Sequence, residues 1–410
     1  MAEQDVYNSR LSTGPPHFDR AAAQFHNTAG AEQDRYGSHF SSGWDKARQH
    51  VTSHTGPVGP GAGTPGYTGG ISSGAEQDLY GTHFQPGHSA TALGLLQATV
   101  VPSFTLHAAF STVAYGVARY TDRAEGKDWL WPTGMTLNAW WSAIGNRVVN
   151  DGLSVSSAWS SLSYAEKLLL GGVTAWGSRL FYRIATRGIE RGKDDPRYEP
   201  LKKDPEFWNK SFFSMFLPEA VMQTIISLPF TLPFRATGES LRASPVLGGD
   251  TRSCFTSLAV LLFSAGFAME VLADARLAAH KKDRSASGLC RDGVWSIVRH
   301  PNYLGDALIH FSFPILLIGA GLFHPLTALG PIANHVFLRF IGGDAENEQT
   351  QEERYAKEDP VKARQFDEYR AEKNSFWPGL KEITNKWSWV VIGAGVAGVV
   401  LERGVRELLR

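Results

Sequence analysis

The stretch ATALGLLQATVVPSFTLHAAFSTVAYGVA, residues 90–118, decides the fold class of this protein. It runs for 29 residues without Asp, Glu, Lys or Arg, and it contains a single histidine, His107. A helix rises 1.5 Å per residue, so this stretch is long enough to cross about 30 Å of hydrocarbon. It therefore predicts a membrane-spanning helix.

Several other parts of the chain are similarly apolar. They lie at 168–185, 211–234, 253–273, 303–341 and 388–401. Segment 303–341 has Pro325 and Pro331 near its middle, which predicts a two-helix hairpin. Residues 130–160 are rich in tryptophan but more polar, so they either span the membrane or lie in its interface.

A large soluble helical protein with buried helices is the alternative interpretation. Two runs without Asp, Glu, Lys or Arg, 90–118 and 307–338, argue against it, because each is well above about 18 residues. The sequence predicts an all-α fold, a polytopic transmembrane helical bundle of about six to eight spans. The predicted domains are a tail at 1–90, the bundle at 91–385 and a C-terminal apolar helix at 386–410.

The tail at 1–90 has few aliphatic residues and much glycine and histidine. Such a composition cannot bury enough apolar surface to offset chain entropy, so the tail is predicted to be disordered. The phrase AEQDxY occurs in it three times, beginning at Ala2, Ala31 and Ala75. These copies suit multivalent docking to a protein partner. Duplication within a spacer is the alternative.

Charge and cysteine content exclude two classes of protein. Lys plus Arg and Asp plus Glu both number 40, and this neutral balance argues against a nucleic-acid partner. The two cysteines, Cys254 and Cys290, rule out a disulfide framework and a cysteine-rich zinc site. The sequence predicts no metal site.

The distribution of basic residues predicts the orientation of the bundle. Loops 183–210, 276–300 and 342–386 are rich in Lys and Arg, whereas 235–252 has few. Basic loops face the cytoplasm, so the three basic loops are predicted to share one aqueous face.

The glycine-rich run 390–398, VVIGAGVAG, matches the G-x-G-x-x-G pattern of dinucleotide-binding folds. Only twelve residues follow Gly398, which leaves no room for a second strand or a ribose-binding acid. The alternative is a membrane helix whose small residues let another helix approach closely, and the sequence favours it.

Most of the candidate ligand-binding residues lie in or near the string RHPNYLGD, residues 299–306. Proline at 301 fits the first turn of a helix, and such a terminus flanked by Arg299 and His300 suits a phosphate or pyrophosphate. Asn302 and Asp306 lie one turn apart, which offers an amide and a carboxylate to a ligand. Upstream, Glu270 and Asp274 share one face at the end of an apolar helix, where acids are costly.

These motifs resemble those of a known protein family. The string RHPNYLGD, together with Gly293-Val-Trp and the E-x-x-x-D pair before it, resembles the steroid 5-alpha-reductase C-terminal domain family. Distant relatives of that family include sterol reductases and isoprenylcysteine carboxyl methyltransferases. The likeness runs from about Val173 to Pro378 and includes WGSR at 176–179 and EYR at 368–370.

The resemblance implies a helical bundle in the endoplasmic reticulum membrane whose cytoplasmic half holds NADPH. The substrate implied is lipophilic, of steroid, sterol or lipid type, and the reaction reduces a C=C bond. Asp274, Asn302, Asp306 and Tyr369 are the implied cofactor contacts, with Tyr303 beside them in the motif.

Reduction also needs a proton donor. Trp176 stands where steroid reductases have a tyrosine, about three residues before the arginine that matches Arg179. Tyr182 and Glu219 are therefore the candidate proton donors.

Two other functions remain open from the sequence. One is methyl transfer from S-adenosylmethionine to a prenylated or lipid substrate, because the methyltransferases share R-H-P-x-Y. The other is a non-catalytic membrane scaffold that presents the repeated tail to partners.

Overall fold

The computed structural model describes residues 92–235, 247–283 and 288–408. In these ranges the regular secondary structure is helical, without strands. The predicted tail with its three repeats lies outside the described residues. The main helices are α1 (Leu96–Thr121), α2 (Gly126–Trp140), α3 (Val155–Ser160), α4 (Tyr164–Arg191), α5 (Phe207–Ile226), α6 (Leu228–Arg235), α7 (Gly249–Lys282), α8 (Pro301–Ala320), α9 (Leu329–Val336), α10 (Asp344–Glu358), α11 (Pro360–Glu372) and α12 (Lys386–Leu408).

Short helical segments extend or connect these helices. The α-helical ones are Ala92–Leu95 and Asn146–Asn150, the π-helical extensions are Trp141–Gly145 and Phe337–Ile341, and the 3-10 turns are Pro196–Tyr198, Leu201–Lys203, Gly293–Ser296, Pro325–Ala328 and Leu380–Thr384.

Local sequence signals set the ends of α4, the helix that carries several candidate site residues. Ser163 and Glu166 form a reciprocal capping box at its start. Its end is at Gly192, which adopts a left-handed conformation with φ +68°. Glycine adopts this conformation without steric cost, so the chain can turn away there.

Four of the described helices are long and apolar enough to cross a membrane: α1, α7, α8 and α12. The bent pair α5 and α6 makes a fifth candidate if it counts as one span. The six to eight spans predicted from the sequence are thus not confirmed. In the predicted hairpin 303–341, the second arm is α9 with its π-helical extension. At about 20 Å by its length, that arm is too short to cross the hydrocarbon alone.

A bend of 61° separates α5 from α6. Ser227 closes α5, and Phe230 has a non-helical backbone (φ −118°, ψ 16°) between Pro229 and Pro233. Proline removes a helical N–H donor, which explains why the apolar segment 211–234 does not form one straight helix.

Helices α7 and α8 cross closely at two glycines. A Cβ atom on Gly266 would lie 2.5 Å from the carbonyl oxygen of Gly305, and one on Gly305 would lie 2.6 Å from that of Gly266. Backbone in direct contact at this crossing leaves no space for a side chain, so glycine is required at both positions. The crossing places the carboxyl-terminal half of α7 beside the start of α8.

The glycine-rich run 390–398 lies inside α12, which is one continuous helix. A Cβ atom on Gly395 would lie 2.9 Å from the carbonyl oxygen of Leu261 in α7, and one on Gly398 would overlap Ser264 Oγ. The run therefore packs a membrane helix against α7, and the described structure has no strand before it for a dinucleotide-binding unit.

Candidate functional site

The start of α8 is anchored by its two preceding residues. The backbone N–H groups of Arg299 and His300 donate to the carbonyl oxygens of Asn374 and Ser375, each over 3.0 Å. Pro301 then begins the helix, whose start has no side-chain cap from the described residues. This arrangement joins the helix start to the segment after α11 and fixes where residues 302–306 lie.

The side chains of Arg299 and His300 both face Glu348 of α10. Arg299 Nε donates to Glu348 Oε1 over 2.8 Å and Arg299 Nη2 to Oε2 over 3.0 Å. His300 Nε2 lies 2.9 Å from Glu348 Oε1, and Arg370 Nε also donates to this carboxylate. The two residues predicted to bind phosphate are thus already paired, and their role in cofactor binding stays a prediction.

Electrostatics in this cluster favour the ionised carboxylate. Burial acts to raise the pKa of Glu348, but hydrogen bonds from His300 and Arg299 outweigh it and lower that pKa to about 2. Burial lowers the pKa of His300, and Glu348 opposes this change only in part. The cluster is an ion-paired clamp that holds α8, α10 and α11 together.

Asn302 and Tyr303 occupy the first turn of α8. The Tyr303 ring stacks on His300 with centroids 5.4 Å apart, and its hydroxyl accepts from Asn347 Nδ2 over 3.3 Å. The half-buried Asn302 side chain makes no hydrogen bond within the described part of the chain. Asn302 therefore offers a free amide donor and acceptor at the helix start.

Asp274 belongs to a charged network between α4 and α7. Arg179 donates to Asp274 and to Glu270, and Arg183 Nε lies 3.3 Å from Asp274 Oδ1. Glu270 is buried, whereas the Asp274 side chain retains access to solvent. This network extends from the partly exposed Asp274 to the buried Glu270.

Asp306 is buried, whereas Asn302, one turn earlier on α8, is half-buried. Its Oδ1 accepts from Trp176 Nε1 over 2.7 Å and its Oδ2 from Asn334 Nδ2 over 2.8 Å. Trp176 is fully buried. The predicted pair of Asn302 and Asp306 is one turn apart in sequence, but the two side chains serve different surroundings.

Tyr369 of α11 supports the loop before α8. Its hydroxyl donates to the carbonyl oxygens of Trp295 and Val298, the latter over 3.2 Å. Burial raises the pKa of this hydroxyl. The side chain is buried, so it positions residues 295–298 in this structure, and a direct cofactor contact stays a prediction.

The two candidate proton donors lie apart from these groups. Tyr182 is 71% exposed on α4, and its hydroxyl makes no hydrogen bond within the described residues. Glu219 of α5 is buried, and its Oε2 accepts from Lys127 Nζ over 2.9 Å. Glu219 also lines an apolar groove of about 600 Å³, bordered by α5 and the π-helical segment Phe337–Ile341. Their proton-donor roles stay predictions.

A group of cations adjoins the Asp274 network. Lys281, at the end of α7, is within electrostatic range of four arginines, Arg183, Arg187 and Arg191 of α4 and Arg354 of α10. Arg191 is paired with Glu125 and Asp195. We call Lys281, Arg183, Arg187 and Arg354 the basic cluster. Arg187 and Lys281 are exposed and have no ion pair within the described ranges. The cluster thus has more positive than negative charge and is suited to an anion.

Sequence reasoning missed several residues of this region. Glu348, His310 and Asn334 belong to no recognisable sequence motif. Lys281 and Arg187 lie on different helices, so helical spacing could not predict that they are neighbours. The expectation that their loops share one aqueous face was the available signal. Among the described residues, no group of three or more His, Cys, Asp or Glu side chains is placed to hold a metal ion.

Comparison with known proteins gives one match. None of the curated proteins and none of the solved structures matches this chain. Residues 114–372, from within α1 to the end of α11, match the family described as "Protein of unknown function (DUF1295)". This match covers well over half of the chain and all the residues of the candidate site. The protein is therefore a helical membrane protein that belongs to the DUF1295 family.

Proposed function

We propose that this protein is an integral membrane reductase that uses NADPH to reduce a C=C bond of a lipophilic, steroid-, sterol- or lipid-like substrate. The motif resemblance supports the choice of reaction and implies the endoplasmic reticulum membrane as its location. The basic cluster beside the Asp274 network is the observation that carries the proposal.

The residues at this aqueous face fit the chemical groups of NADPH. Its 2′-phosphate and pyrophosphate need several cations, and Arg187 and Lys281 have no carboxylate partner in the described structure. Asn302 offers a free amide for the carboxamide or a ribose hydroxyl. Asp274 is a partly exposed carboxylate that suits a hydroxyl. When bound, NADPH would supply the hydride.

The groove beside Glu219 suits the lipophilic substrate. Its lining is largely apolar, contributed by residues such as Phe213, Met215, Met222 and Phe337. Apolar walls with a single buried carboxylate are typical of a site that recognises a hydrophobic molecule by one polar group. We assign that polar contact to Glu219, whose Oε2 also accepts from Lys127.

Charge removal in the basic cluster tests the cofactor assignment. The double variant Arg187→Ala/Lys281→Ala is expected to weaken NADPH binding at least tenfold, because a charge-assisted hydrogen bond contributes about 1.5–3 kcal/mol. Binding of NADH, which lacks the 2′-phosphate, is expected to change less. The measurement is the cofactor-dependent rise in melting temperature of the purified full chain in detergent.

The matched control is Arg364→Ala, which removes an exposed arginine from α11 outside the cluster. It is expected to leave NADPH binding unchanged. A melting temperature that responds to neither NADPH nor NADP+ would reject the reductase. A response to S-adenosylmethionine alone would favour the methyltransferase, and no response to any of the three would favour the scaffold.

A further inference from the structure

The turn Leu380–Thr384, which directly precedes α12, is amphipathic. It is a 3-10 helix, in which residues three apart in sequence lie above one another. Leu380 and Ile383 therefore share one side of the turn, and they are 87% and 62% exposed. Lys381 is exposed on the next side, whereas Glu382 is buried on the third. The turn thus presents both an apolar side and a cation outwards.

The apolar side of this turn lies next to a candidate membrane span. Helix α12, which is long and apolar enough to cross a membrane, begins at Lys386. Trp389 in its first turn is 59% exposed, and its Nε1 donates to the carbonyl oxygen of Ile383 over 2.8 Å. This hydrogen bond holds the indole beside the turn. Exposed tryptophan and aliphatic side chains at the start of a span are typical of the membrane interface, where acyl chains meet headgroups.

A polar groove of about 560 Å³ separates the turn from the end of α11. Lys381 and Glu382 border it on one side, and Glu372 and Lys373 border it on the other. A groove of this volume is large enough for the headgroup of a phospholipid. Because the groove adjoins the start of α12, it lies at the depth where headgroups are found.

Two lysines beside this groove have no acidic partner. Lys381 and Lys386 are exposed, and neither forms an ion pair within the ranges that the structure describes. The acids of the groove are already paired, Glu382 with Lys373 over 2.6 Å and Glu372 with an arginine over 2.5 Å. The excess of positive charge favours an anionic ligand.

We propose that the turn Leu380–Thr384 and the start of α12 form a binding site for an anionic phospholipid. The lipid phosphate meets Lys381 in the groove, and Lys386 supplies the second cation. The acyl chains lie against the apolar side of the turn and Trp389. A phospholipid fits this site better than a free phosphate ion does, because the unpaired cations adjoin exposed apolar side chains.

Native mass spectrometry of the purified full chain in detergent, without any nucleotide, tests this site. The probes are phosphatidylserine, which is anionic, and phosphatidylcholine, which is zwitterionic, with identical acyl chains. We expect the wild type to bind phosphatidylserine more tightly. The variant Lys381→Gln/Lys386→Gln should bind it about tenfold more weakly, because each lysine near a headgroup adds attraction for an anionic lipid. Its binding of phosphatidylcholine should change little.

The matched control is Lys357→Gln/Arg364→Gln, which removes two positive charges from exposed positions on α10 and α11. It should bind both lipids as the wild type does. Equal phosphatidylserine binding by the wild type and the Lys381→Gln/Lys386→Gln variant would overturn the proposal, and so would an equal loss in the control. None of the four substituted residues belongs to the basic cluster, so a nucleotide bound there does not enter the comparison.

The apolar half of the site needs its own variant. Leu380→Ser/Ile383→Ser should weaken the binding of both lipids, because it removes the contact with the acyl chains. Unchanged binding in this variant, or displacement of the lipid by an equal concentration of inorganic phosphate, would overturn the proposal. All the substituted side chains are exposed, so each variant should fold, and a melting temperature in detergent equal to that of the wild type verifies this.

Discussion

Replacing Glu348 with glutamine is expected to destabilise the bundle by about 3 kcal/mol, because it leaves Arg299 and His300 without their buried anion. The carboxylate joins α10 to the start of α8 and to Arg370 of α11. The free energy of unfolding is the quantity to measure, by denaturant titration in detergent. Glu353→Gln, on an exposed part of the same helix, is the matched control and should change it by less than about 0.5 kcal/mol.

The same variant should show a defined pH dependence. The pKa of Glu348 is lowered to about 2 from an ordinary 4.5, so its stabilisation is complete above pH 4.5 and is lost as the pH falls towards 2. At about 1.4 kcal/mol per tenfold change in proton affinity, this corresponds to about 3 kcal/mol. The difference in free energy of unfolding between wild type and Glu348→Gln should therefore decrease towards zero as the pH falls from 4.5 to about 2. A difference that stays constant from pH 7 to 3 would contradict the ion-paired clamp.

Replacing Gly305 with alanine is expected to separate α7 from α8 and to cost about 3 kcal/mol. The added methyl group would meet the Gly266 carbonyl oxygen at 2.6 Å and the Glu270 side chain at 2.8 Å. Neither contact can relax unless the helix itself moves. The quantities to measure are the melting temperature and the free energy of unfolding of the purified variant, compared with those of the wild type.

Gly171→Ala is the matched control for this substitution. It lies within α4, and a Cβ atom there would meet nothing within 4 Å. Alanine favours helix over glycine by about 1 kcal/mol, so the control should be neutral or slightly stabilising. Equal effects of the two substitutions would show that the close approach of α7 and α8 does not require glycine.

Apolar runs predicted the long helices well, because hydrocarbon thickness sets a length that the sequence must meet. The runs 253–273 and 388–401 each lie in a helix long enough to span, and residues 96–118 of the first run lie in another. The glycine run 390–398 lies in the helix that the sequence favoured. The number of spans was less predictable. The bend before Phe230 and the short α9 depend on how neighbouring helices pack, which hydropathy does not record.

The candidate site was predictable only in its local part. The string 299–306 located the start of α8, but its side-chain partners come from distant parts of the chain. Glu348 accepts hydrogen bonds from Arg299 and His300. Trp176, which lies 130 residues upstream of Asp306, donates a hydrogen bond to it. Helical spacing places side chains on a face, whereas the partner across that face is set by tertiary packing.

We propose that a nicotinamide nucleotide binds at the end of the bundle where α4, α7 and α8 meet. Photolabelling with an azido derivative of NADPH, followed by mass spectrometry of the cross-linked peptides, tests it most directly. We expect label in residues 183–191, 276–283 or 299–306, and we expect excess unlabelled NADPH to prevent it. Label confined to the glycine run 390–398, or no label that NADPH can displace, would rule out this binding site.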